Sequence, residues 1–353
     1  MDIQHLLRLT IQNNASDLHL LPGVPPTVRI DGSLMYLSNF PALSRTQVES
    51  LVYALLTPEE KELLLSNKEL DFSYGIEVNG VTGRFRINAY FQLGSLCAAF
   101  RYLPSLIKTP EQLGLPKVVH EFTKLKQGFI LVVGPTGHGK STTLASMINE
   151  INMEYPSHIL TIEDPIEYVY PRGKSLISQR EMGVDTHSWN LALRSALRED
   201  PDVVLVGEMR DAETMAAAIT IAETGHLVFS TLHTNSASQS IDRIVDSFPP
   251  HQQQQIRIQL SETLKGIISQ RLLTQISGGR IPAVEVLVGT PAIASNIRDG
   301  KTHLIDSVIQ TSQEVGMITL EASLAQLVMS GAITLDTAKG YALHQDELLR
   351  LIV

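Results

Sequence analysis

The pattern of hydrophobic and polar positions changes partway along the chain. In the first hundred residues, short segments that alternate apolar and polar side chains predict half-buried strands, with two helical segments among them. The predicted strands are residues 16–20, 27–30, 33–37, 69–74 and 83–91, and the predicted helices are residues 3–13 and 44–65. Asp31-Gly32 predicts a hairpin turn. This mixture indicates a small α+β domain over residues 1–102.

From residue 118 onward, apolar strands alternate with helices, which is typical of a parallel sheet covered by helices. The strands are predicted at residues 128–133, 158–162, 203–206, 227–232 and 283–288, with helices beginning near Lys140, Ser188, Ala212 and His251. The last hundred residues are expected to be mostly helical, and one helix there begins at Thr290-Pro291 and ends at Gly300. The second domain is therefore predicted over residues 118–353, after a proline-containing linker at residues 103–117.

Composition narrows the class of protein. The 353 residues are 43% hydrophobic and 18% charged, as in a soluble globular protein, and they suffice for two ordinary domains. No apolar run approaches the roughly 20 residues that span a bilayer, and the first residues lack the regions of a signal peptide. The expectation is a cytoplasmic protein, with peripheral docking to a membrane complex still open.

Charge and cysteine content disfavour further classes. A net charge of −9, from 37 acidic and 28 basic residues, gives little help in binding a phosphate backbone and disfavours a nucleic-acid motor. The single cysteine, Cys97, excludes an internal disulfide and a four-cysteine zinc module. It lies in the apolar stretch at residues 96–100 and is expected to be a buried small hydrophobic residue.

The strongest motif directly follows the apolar strand at residues 128–133. It matches G-x-x-x-x-G-K-[ST] with one further hydroxyl residue and consists of Gly134, Pro135, Thr136, Gly137, His138, Gly139, Lys140, Ser141 and Thr142. The glycines let backbone N–H groups face phosphates, and the following helix adds the positive end of its dipole. Lys140 is expected to reach the β- and γ-phosphates of ATP, and Ser141 to ligate Mg²⁺. A strand before the motif and a helix after it argue against a chance match.

Two acidic strand ends are candidates for managing Mg²⁺ and the attacking water. The first is Glu208, which follows the strand at residues 203–206 and is preceded by Gly207, where Walker B patterns place an aspartate. The second is Glu163-Asp164-Pro165, in which the proline ends a strand. Either segment alone is as readily a solvated strand end. Beside a P-loop they predict a shared site, in which Glu208 acts alone or together with Glu163.

Histidines and arginines supply weaker candidates. His226 and His233 flank the strand at residues 227–232, where they are as readily structural as they are sensors of the γ-phosphate or links to a neighbouring subunit. Arg86 shares one face of a predicted strand with Arg84, and Arg101 lies farther along. These guanidinium groups belong either to a solvated strand face or to an ATP site whose transition-state charge they offset. The local pattern leaves both pairs of alternatives open.

Taken together and in this order, the motifs resemble the type II/type IV secretion ATPase superfamily, and most closely its PilT-type pilus retraction ATPases. The segments that carry the resemblance are the P-loop, Ile162-Glu163-Asp164-Pro165, Leu197-Arg198-Glu199-Asp200-Pro201-Asp202 running into Val206-Gly207-Glu208-Met209-Arg210-Asp211, and residues 224–234 with both histidines. Residues 15–20 and 83–86 are also typical of the N-terminal domain of these proteins. The resemblance therefore covers essentially the whole chain.

The resemblance implies an α/β fold in which a small α+β PAS-like domain precedes a RecA-like P-loop NTPase domain. It implies a homo-hexameric ring with ATP between the two domains. Carried over by motif, the implied roles are phosphate and Mg²⁺ binding by Lys140 and Ser141, catalysis and metal management by Glu163 and Glu208, His-box positions at His226 and His233, and basic residues directed at the nucleotide at Arg86 and Arg101.

The implied function is a motor that hydrolyses ATP to power type IV pilus retraction, meaning pilin depolymerisation and twitching motility. The implied partner is an inner-membrane pilus platform protein at the cytoplasmic face, with membrane association only through partners and no nucleic acid. Lack of a four-cysteine zinc element and of a longer N-terminal region favours retraction over assembly or secretion.

Two departures from the family pattern keep alternatives open. His138 stands where the family usually has Ser or Ala, and residues 292–299 match the C-terminal segment of retraction ATPases only in part. The alternatives are an accessory paralogue, an assembly or secretion ATPase of a pilus-like machine, a nucleotide-binding regulatory subunit and, least favoured, a nucleic-acid translocase.

Overall fold

The computed structural model describes residues 2–30, 32–78, 81–103 and 106–352. The chain forms two compact units, residues 1–106 with residues 167–170, and residues 107–166 with residues 171–353. Residues 107–117, expected to belong to a linker, are thus part of the second unit. Asp31 of the predicted hairpin turn lies outside the described residues, as does Pro104 of the predicted linker.

The N-terminal unit is an antiparallel sheet with helices packed on one face. Its elements are α1 (Ile3–Gln12), β1 (Asp17–Leu20), β2 (Thr27–Ile30), β3 (Ser33–Tyr36), α2 (Arg45–Tyr53), α3 (Pro58–Asn67), β4 (Glu69–Val78), β5 (Val81–Gln92) and β6 (Ser95–Leu103). The strand order is β3-β2-β1-β6-β5-β4. Alternate residues such as Phe85, Ile87 and Phe100 are fully buried in the core beneath the helices. Cys97 is buried, as predicted.

One predicted helix of this unit proved to be two. Residues 44–65 carry helical spacing throughout, but α2 ends at Tyr53 and α3 begins at Pro58. Thr57 accepts a hydrogen bond from the backbone N–H of Glu60, whose side chain bonds back to the Thr57 N–H. Because this capping box and a proline in the first turn both favour a helix start, they divide the segment.

The C-terminal unit is a mostly parallel sheet between helices. Its elements are α4 (Val118–Thr123), β7 (Gly128–Val133), α5 (Lys140–Glu154), β8 (His158–Glu163), β9 (Leu176–Glu181), α6 (Trp189–Ala196), β10 (Val203–Val206), α7 (Ala212–Glu223), β11 (Leu227–Leu232), α8 (Ala237–Asp246), α9 (Pro250–Thr263), β12 (Leu264–Thr274), β13 (Arg280–Val288), α10 (Pro291–Arg298), α11 (Ile305–Thr311), α12 (Leu320–Met329), α13 (Leu335–Tyr341) and α14 (Gln345–Ile352). The strand order is β13-β12-β7-β11-β10-β8-β9, and only β13 runs antiparallel to its neighbour.

All five strands predicted for this unit are confirmed, but β9 and β12 were not predicted. The sequence of β12 is interrupted by Ser269, Gln270 and Arg271, which are polar and nevertheless buried. Its place in the sheet is decided by pairing with β7, which is distant in sequence, and with β13, which follows after a short turn. The described helices include none that is long and apolar enough to cross a membrane.

Parallel pairing brings several strand ends to one edge of the sheet. Val133 is paired with Leu232, and Val206 is paired with both Ile162 and Ser230. The segments that follow β7, β8, β10 and β11 therefore lie side by side at this carboxyl edge, which is where open α/β sheets bind ligands.

Candidate active site

The P-loop connects β7 to α5 at the carboxyl edge. Gly134, Gly137 and Gly139 have φ angles of 145°, 80° and 83°, a region that favours glycine. A Cβ on Gly134 would lie 2.5 Å from the carbonyl oxygen of Gln270, and one on Gly139 would lie 2.8 Å from the Gln270 side-chain nitrogen. The loop therefore follows a backbone path that excludes side chains where it passes over β12.

The beginning of α5 lacks the side-chain cap that several helices of this unit have, a lack that it shares with α4, α9 and α11. α6, α7, α8 and α10 each start after a Ser, Asp or Thr whose side chain accepts a hydrogen bond from a first-turn N–H, namely Ser188, Asp211, Ser236 and Thr290. α5 follows Gly139, which offers no such acceptor. Its first N–H groups and its dipole are thus directed toward an external acceptor, which is the arrangement that binds phosphate.

Lys140 is the buried cation of the loop. Its side chain is carried by the first residue of α5, and the whole residue is only 8% exposed. The ammonium group donates to the carbonyl oxygens of Gly134 at 2.8 Å and Pro135 at 3.0 Å, and lies 3.5 Å from His233 Nδ1. A positive charge is therefore held beside the N–H groups of the loop, where it can meet an anion.

A chain of polar contacts joins Lys140 to the acidic strand end. His233 follows β11, with Nδ1 3.3 Å from Thr136 Oγ1 and Nε2 3.4 Å from Glu208 Oε1. Glu208 follows β10. Its Oε2 accepts a hydrogen bond from Arg210 Nη2 at 3.0 Å, and its Oε1 lies 3.0 Å from Arg210 Nε in an ion pair. The structure thus brings four predicted residues together, Thr136, Lys140, Glu208 and His233, and adds Arg210.

The charges and burial around Glu208 and His233 determine the protonation state of each side chain. The hydrogen bond from Arg210, together with its charge, holds the pKa of Glu208 below its usual value, so this group is a carboxylate at neutral pH. Burial lowers the pKa of His233, and the charge of Lys140 lowers it further, against an opposing effect from Glu208. A neutral imidazole between Lys140 and Glu208 can accept a hydrogen bond at one nitrogen and donate one at the other.

Glu163 ends the neighbouring strand, β8, and is 9% exposed. Its Oε1 accepts a hydrogen bond from Thr161 Oγ1 at 2.7 Å. A Cβ on Gly207 would lie 3.3 Å from both Glu163 Cα and the Ile162 carbonyl oxygen, which is tighter than nine in ten real contacts of this kind. This close approach favours glycine at the position where a Walker B aspartate was expected.

His226 is not brought to the P-loop within one chain. It precedes β11, so it lies at the amino edge of the sheet, and the six residues of β11 separate it from His233 by about 20 Å. There its Nδ1 is 3.0 Å from the Ile221 carbonyl oxygen and 3.1 Å from Thr224 Oγ1. Residues before and after a strand lie at opposite edges of a sheet. The predicted strand at residues 227–232 therefore implies that His226 and His233 lie far apart in one chain.

His138 anchors the P-loop to β12. Its Nδ1 accepts a hydrogen bond from the backbone N–H of Leu272 at 2.9 Å, and its carbonyl oxygen accepts one from Gln270 Nε2 at 2.8 Å. Its ring meets that of Tyr341 edge-on, with centroids 6.0 Å apart. Burial, aided by Arg271 and Lys140, lowers the pKa of His138 and favours this neutral acceptor.

Gln270 was missed by sequence reasoning, although it holds the loop from below. Besides its bond to His138, its Oε1 accepts from Thr143 Oγ1 at 2.7 Å, so it joins the loop to the first turn of α5. The only local signal for such a role is a run of polar residues in an apolar hairpin.

Arg86 and Arg101 lie in the N-terminal unit, directly opposite each other on β5 and β6 and on the same face. Both are exposed, and Arg101 donates to Asp17 Oδ1 at 3.1 Å. They share the face of the sheet that points away from the core of this unit. Their predicted action on a nucleotide stays a prediction.

Comparison with known proteins gives a consistent result. Residues 103–337 match the family model described as "Type II/IV secretion system protein". The chain is 48% identical, over 96% of its length and 97% of the relative's, to the protein named type IV pilus retractation ATPase PilT of Pseudomonas aeruginosa. It is 38% identical over its full length, and 91% of the relative's, to type IV pilus ATPase PilU of the same organism. A crystal structure titled as the pilus retraction motor PilT with bound ADP superposes with a TM-score of 0.92, at 49% identity and 99% coverage of both chains.

Proposed function

The chain belongs to the type II/IV secretion system protein family and to the branch that contains PilT, and we propose that it hydrolyses ATP to power pilus retraction. The observation that carries the proposal is the carboxyl edge of the C-terminal sheet. An uncapped helix start and a buried ammonium lie there beside a histidine that contacts a carboxylate at 3.4 Å. The relative crystallised with ADP has the same fold along its whole length.

In the proposed reaction, the N–H groups of residues 136–142 bind the β- and γ-phosphates. Lys140 exchanges its carbonyl acceptors for phosphate oxygens, so its charge is already in place when ATP arrives. Ser141 and Glu208 present the hard oxygen donors that Mg²⁺ prefers and would hold it here. Bound Mg²⁺ supplies neutralisation of phosphate charge.

The acids and the histidine complete the proposed chemistry. Glu163 and Glu208 follow neighbouring strands, and either carboxylate is a candidate base for the attacking water. His233 links Glu208 to Thr136 of the loop, so a change at the phosphates is transmitted to Glu208 through one imidazole. Arg86 and Arg101 are proposed to offset phosphate charge, and His226 to contribute through a neighbouring subunit.

The proposal extends to assembly and partners. We propose that the chain acts as a homo-hexamer at the cytoplasmic face of the inner membrane on a pilus platform protein, and its similarity to relatives named for pilus retraction supports this. An accessory role is the second candidate, because a relative named only as a type IV pilus ATPase, without retraction in its name, also aligns with the entire chain, though at 38% rather than 48% identity. The acidic net charge disfavours a nucleic-acid translocase. Unchanged ATP turnover on addition of DNA or RNA is expected.

The decisive experiment is deletion of the gene in the organism that encodes it, with twitching and surface pili as readouts. Immotile cells with abundant pili are expected, restored by the wild-type chain but not by Lys140→Ala. Bald cells would instead indicate assembly, and piliated cells that still twitch would indicate the accessory role. Turnover of the purified chain separates an ATPase from a regulatory subunit that only binds nucleotide.

A further inference from the structure

We propose that His120, Glu150 and Glu154 form a binding site for a divalent transition-metal ion of the zinc class, away from the ATP site. His120 is carried by α4, and the two glutamates lie one turn apart on α5, on the face that packs against α4. One ligand atom from each of the three residues lies within 4.8 Å of the others. Two carboxylates at i and i+4 with a histidine from a facing helix supply three ligands, and a water would complete the tetrahedron that Zn²⁺ prefers.

Glu150 supplies the independent sign that a cation is needed. Its side chain is only 10% exposed. One oxygen, Oε1, contacts His120 Nδ1 and accepts from Thr123 Oγ1 at 3.2 Å. The other oxygen, Oε2, is buried and has no hydrogen-bond partner among the described residues. Because leaving a buried carboxylate oxygen unpaired is costly, a ligand at this atom would remove the penalty.

The position on α5 also favours a cation. Glu150 and Glu154 lie in the last turns of the helix, where the dipole is negative and carboxylates are disfavoured, and the last turn carries no basic residue. Of the lysines nearby, Lys124 donates to Glu121 at 2.9 Å, and Lys174 donates to the backbone oxygen of Glu154 at 3.1 Å. Both therefore leave the Glu154 carboxylate available.

The donor set selects the class of metal. Imidazole nitrogen with carboxylate oxygen suits Zn²⁺ and its neighbours, whereas Mg²⁺ and Ca²⁺ prefer oxygen alone. Zinc bonds of about 2.0–2.2 Å require the three groups to close slightly, and Glu154 is exposed and free to swing. Thr123 then orients Glu150 from behind.

The site would serve structure rather than catalysis. Glu150 follows Lys140 by ten residues on α5, which places it about 15 Å along the helix from the P-loop. A metal at this point would tie α4 to the end of α5.

Binding of Zn²⁺ and Co²⁺ to chelator-treated full-length protein tests the proposal, with excess Mg-ADP present to occupy the nucleotide site. Wild type is expected to bind one Co²⁺ with the intense visible absorption of a tetrahedral site and to gain roughly 5 °C in Tm with saturating Zn²⁺. Glu150→Gln and Glu154→Gln, each checked by circular dichroism, are expected to weaken Zn²⁺ binding at least about tenfold.

Glu121→Gln is the matched control, since it removes an exposed carboxylate from α4 beside His120 and should keep affinity within twofold. His120→Gln should abolish the cobalt absorption. If folded Glu150→Gln and Glu154→Gln bind Zn²⁺ like wild type, or if wild type binds none, His120 and Glu150 form only an ion pair and the proposal is wrong.

Discussion

The two edges of the C-terminal sheet use similar residues in different ways, and β11 shows this within a single strand. His233, at the carboxyl edge, joins the P-loop to Glu208. His226, at the amino edge, contacts a helix carbonyl and a threonine. Helices α5 and α7 begin at the carboxyl edge and run back toward the amino edge, so their positive dipole ends collect on one side. The edge on which a residue lies, more than its type, decides which chemistry it can share.

The largest effect should come from removing the cation of the carboxyl edge. Lys140→Ala is expected to lower ATP turnover by about 1000-fold or more, because it deletes a buried charge already in place for the phosphates. Phosphate release by the purified protein measures it. Lys174→Ala is the control, since that ammonium also bonds a backbone carbonyl but at the end of α5. Equal losses in both variants would mean that the edges do not differ as described.

Glu208→Gln should produce the next largest loss, about 100-fold in turnover with little change in KM. The amide keeps the shape but removes the charge that Arg210 stabilises as a carboxylate. Glu223→Gln, which alters a carboxylate bonded to Gln259 at the end of α7, should stay within twofold. Unchanged hydrolysis in Glu208→Gln would contradict the assignment of this acid.

The P-loop at the carboxyl edge could be predicted from the sequence because the residues that identify it are close together in the chain. An apolar strand, a glycine pattern and a lysine lie within fifteen consecutive residues, and the structure confirms the strand and helix that flank them. Prediction from the sequence failed where the residues in contact are far apart in the chain. Gln270 and Arg271 hold the loop and the segment after His233 only because β12 inserts beside β7. No local sequence pattern in β12 predicts its pairing with β7.

The two histidines mark the other limit. They flank one strand symmetrically in sequence, and the length of β11 puts them at opposite edges of the sheet. The family pattern groups them, whereas the geometry of one chain does not. Residues 227–232 are predicted as a strand of the parallel sheet, and that prediction by itself puts His226 and His233 at opposite edges.

Arg86→Ala tests whether the carboxyl edge of one chain is sufficient. We expect turnover to fall about 30-fold, less than for a fully desolvated donor because this guanidinium is exposed. Arg86 faces Arg101 across the strand pair, and directly opposed like charges destabilise a sheet. The free energy of unfolding should therefore stay constant or rise by up to about 0.5 kcal/mol. An unfolded variant with no separate catalytic loss would assign Arg86 to the fold.

His233→Gln and His226→Gln compare the edges directly. His233→Gln should lower turnover about tenfold, because it breaks a contact to the charged Glu208, while His226→Gln should lower it less than threefold. Turnover is measured with the oligomeric state determined in parallel by light scattering. Equal losses at equal assembly would show that a neighbouring subunit brings His226 into the reaction and that the single-chain comparison is incomplete.

The smallest effect on turnover is expected from Glu285→Gln, which instead changes stability with pH. Glu285 lies on β13 opposite Ser269, and its Oε1 accepts from the Ala237 N–H at the start of α8 at 2.6 Å. Burial raises its pKa from 4.5 to about 7, with Asp306 and Glu321 adding to the rise and Arg271 opposing it. The folded state therefore binds more protons than the unfolded state between these values, and the free energy of unfolding falls as pH rises from about 4.5 to about 7.

Glu285→Gln keeps the acceptor without the charge, so in urea titrations from pH 5 to pH 8 it should flatten this slope and gain about 2 kcal/mol at pH 8. Glu223→Gln should retain the wild-type slope. If Glu285→Gln keeps the wild-type pH dependence too, burial of the Glu285 carboxylate does not lower the free energy of unfolding. A buried charge would then not destabilise the carboxyl edge relative to the amino edge.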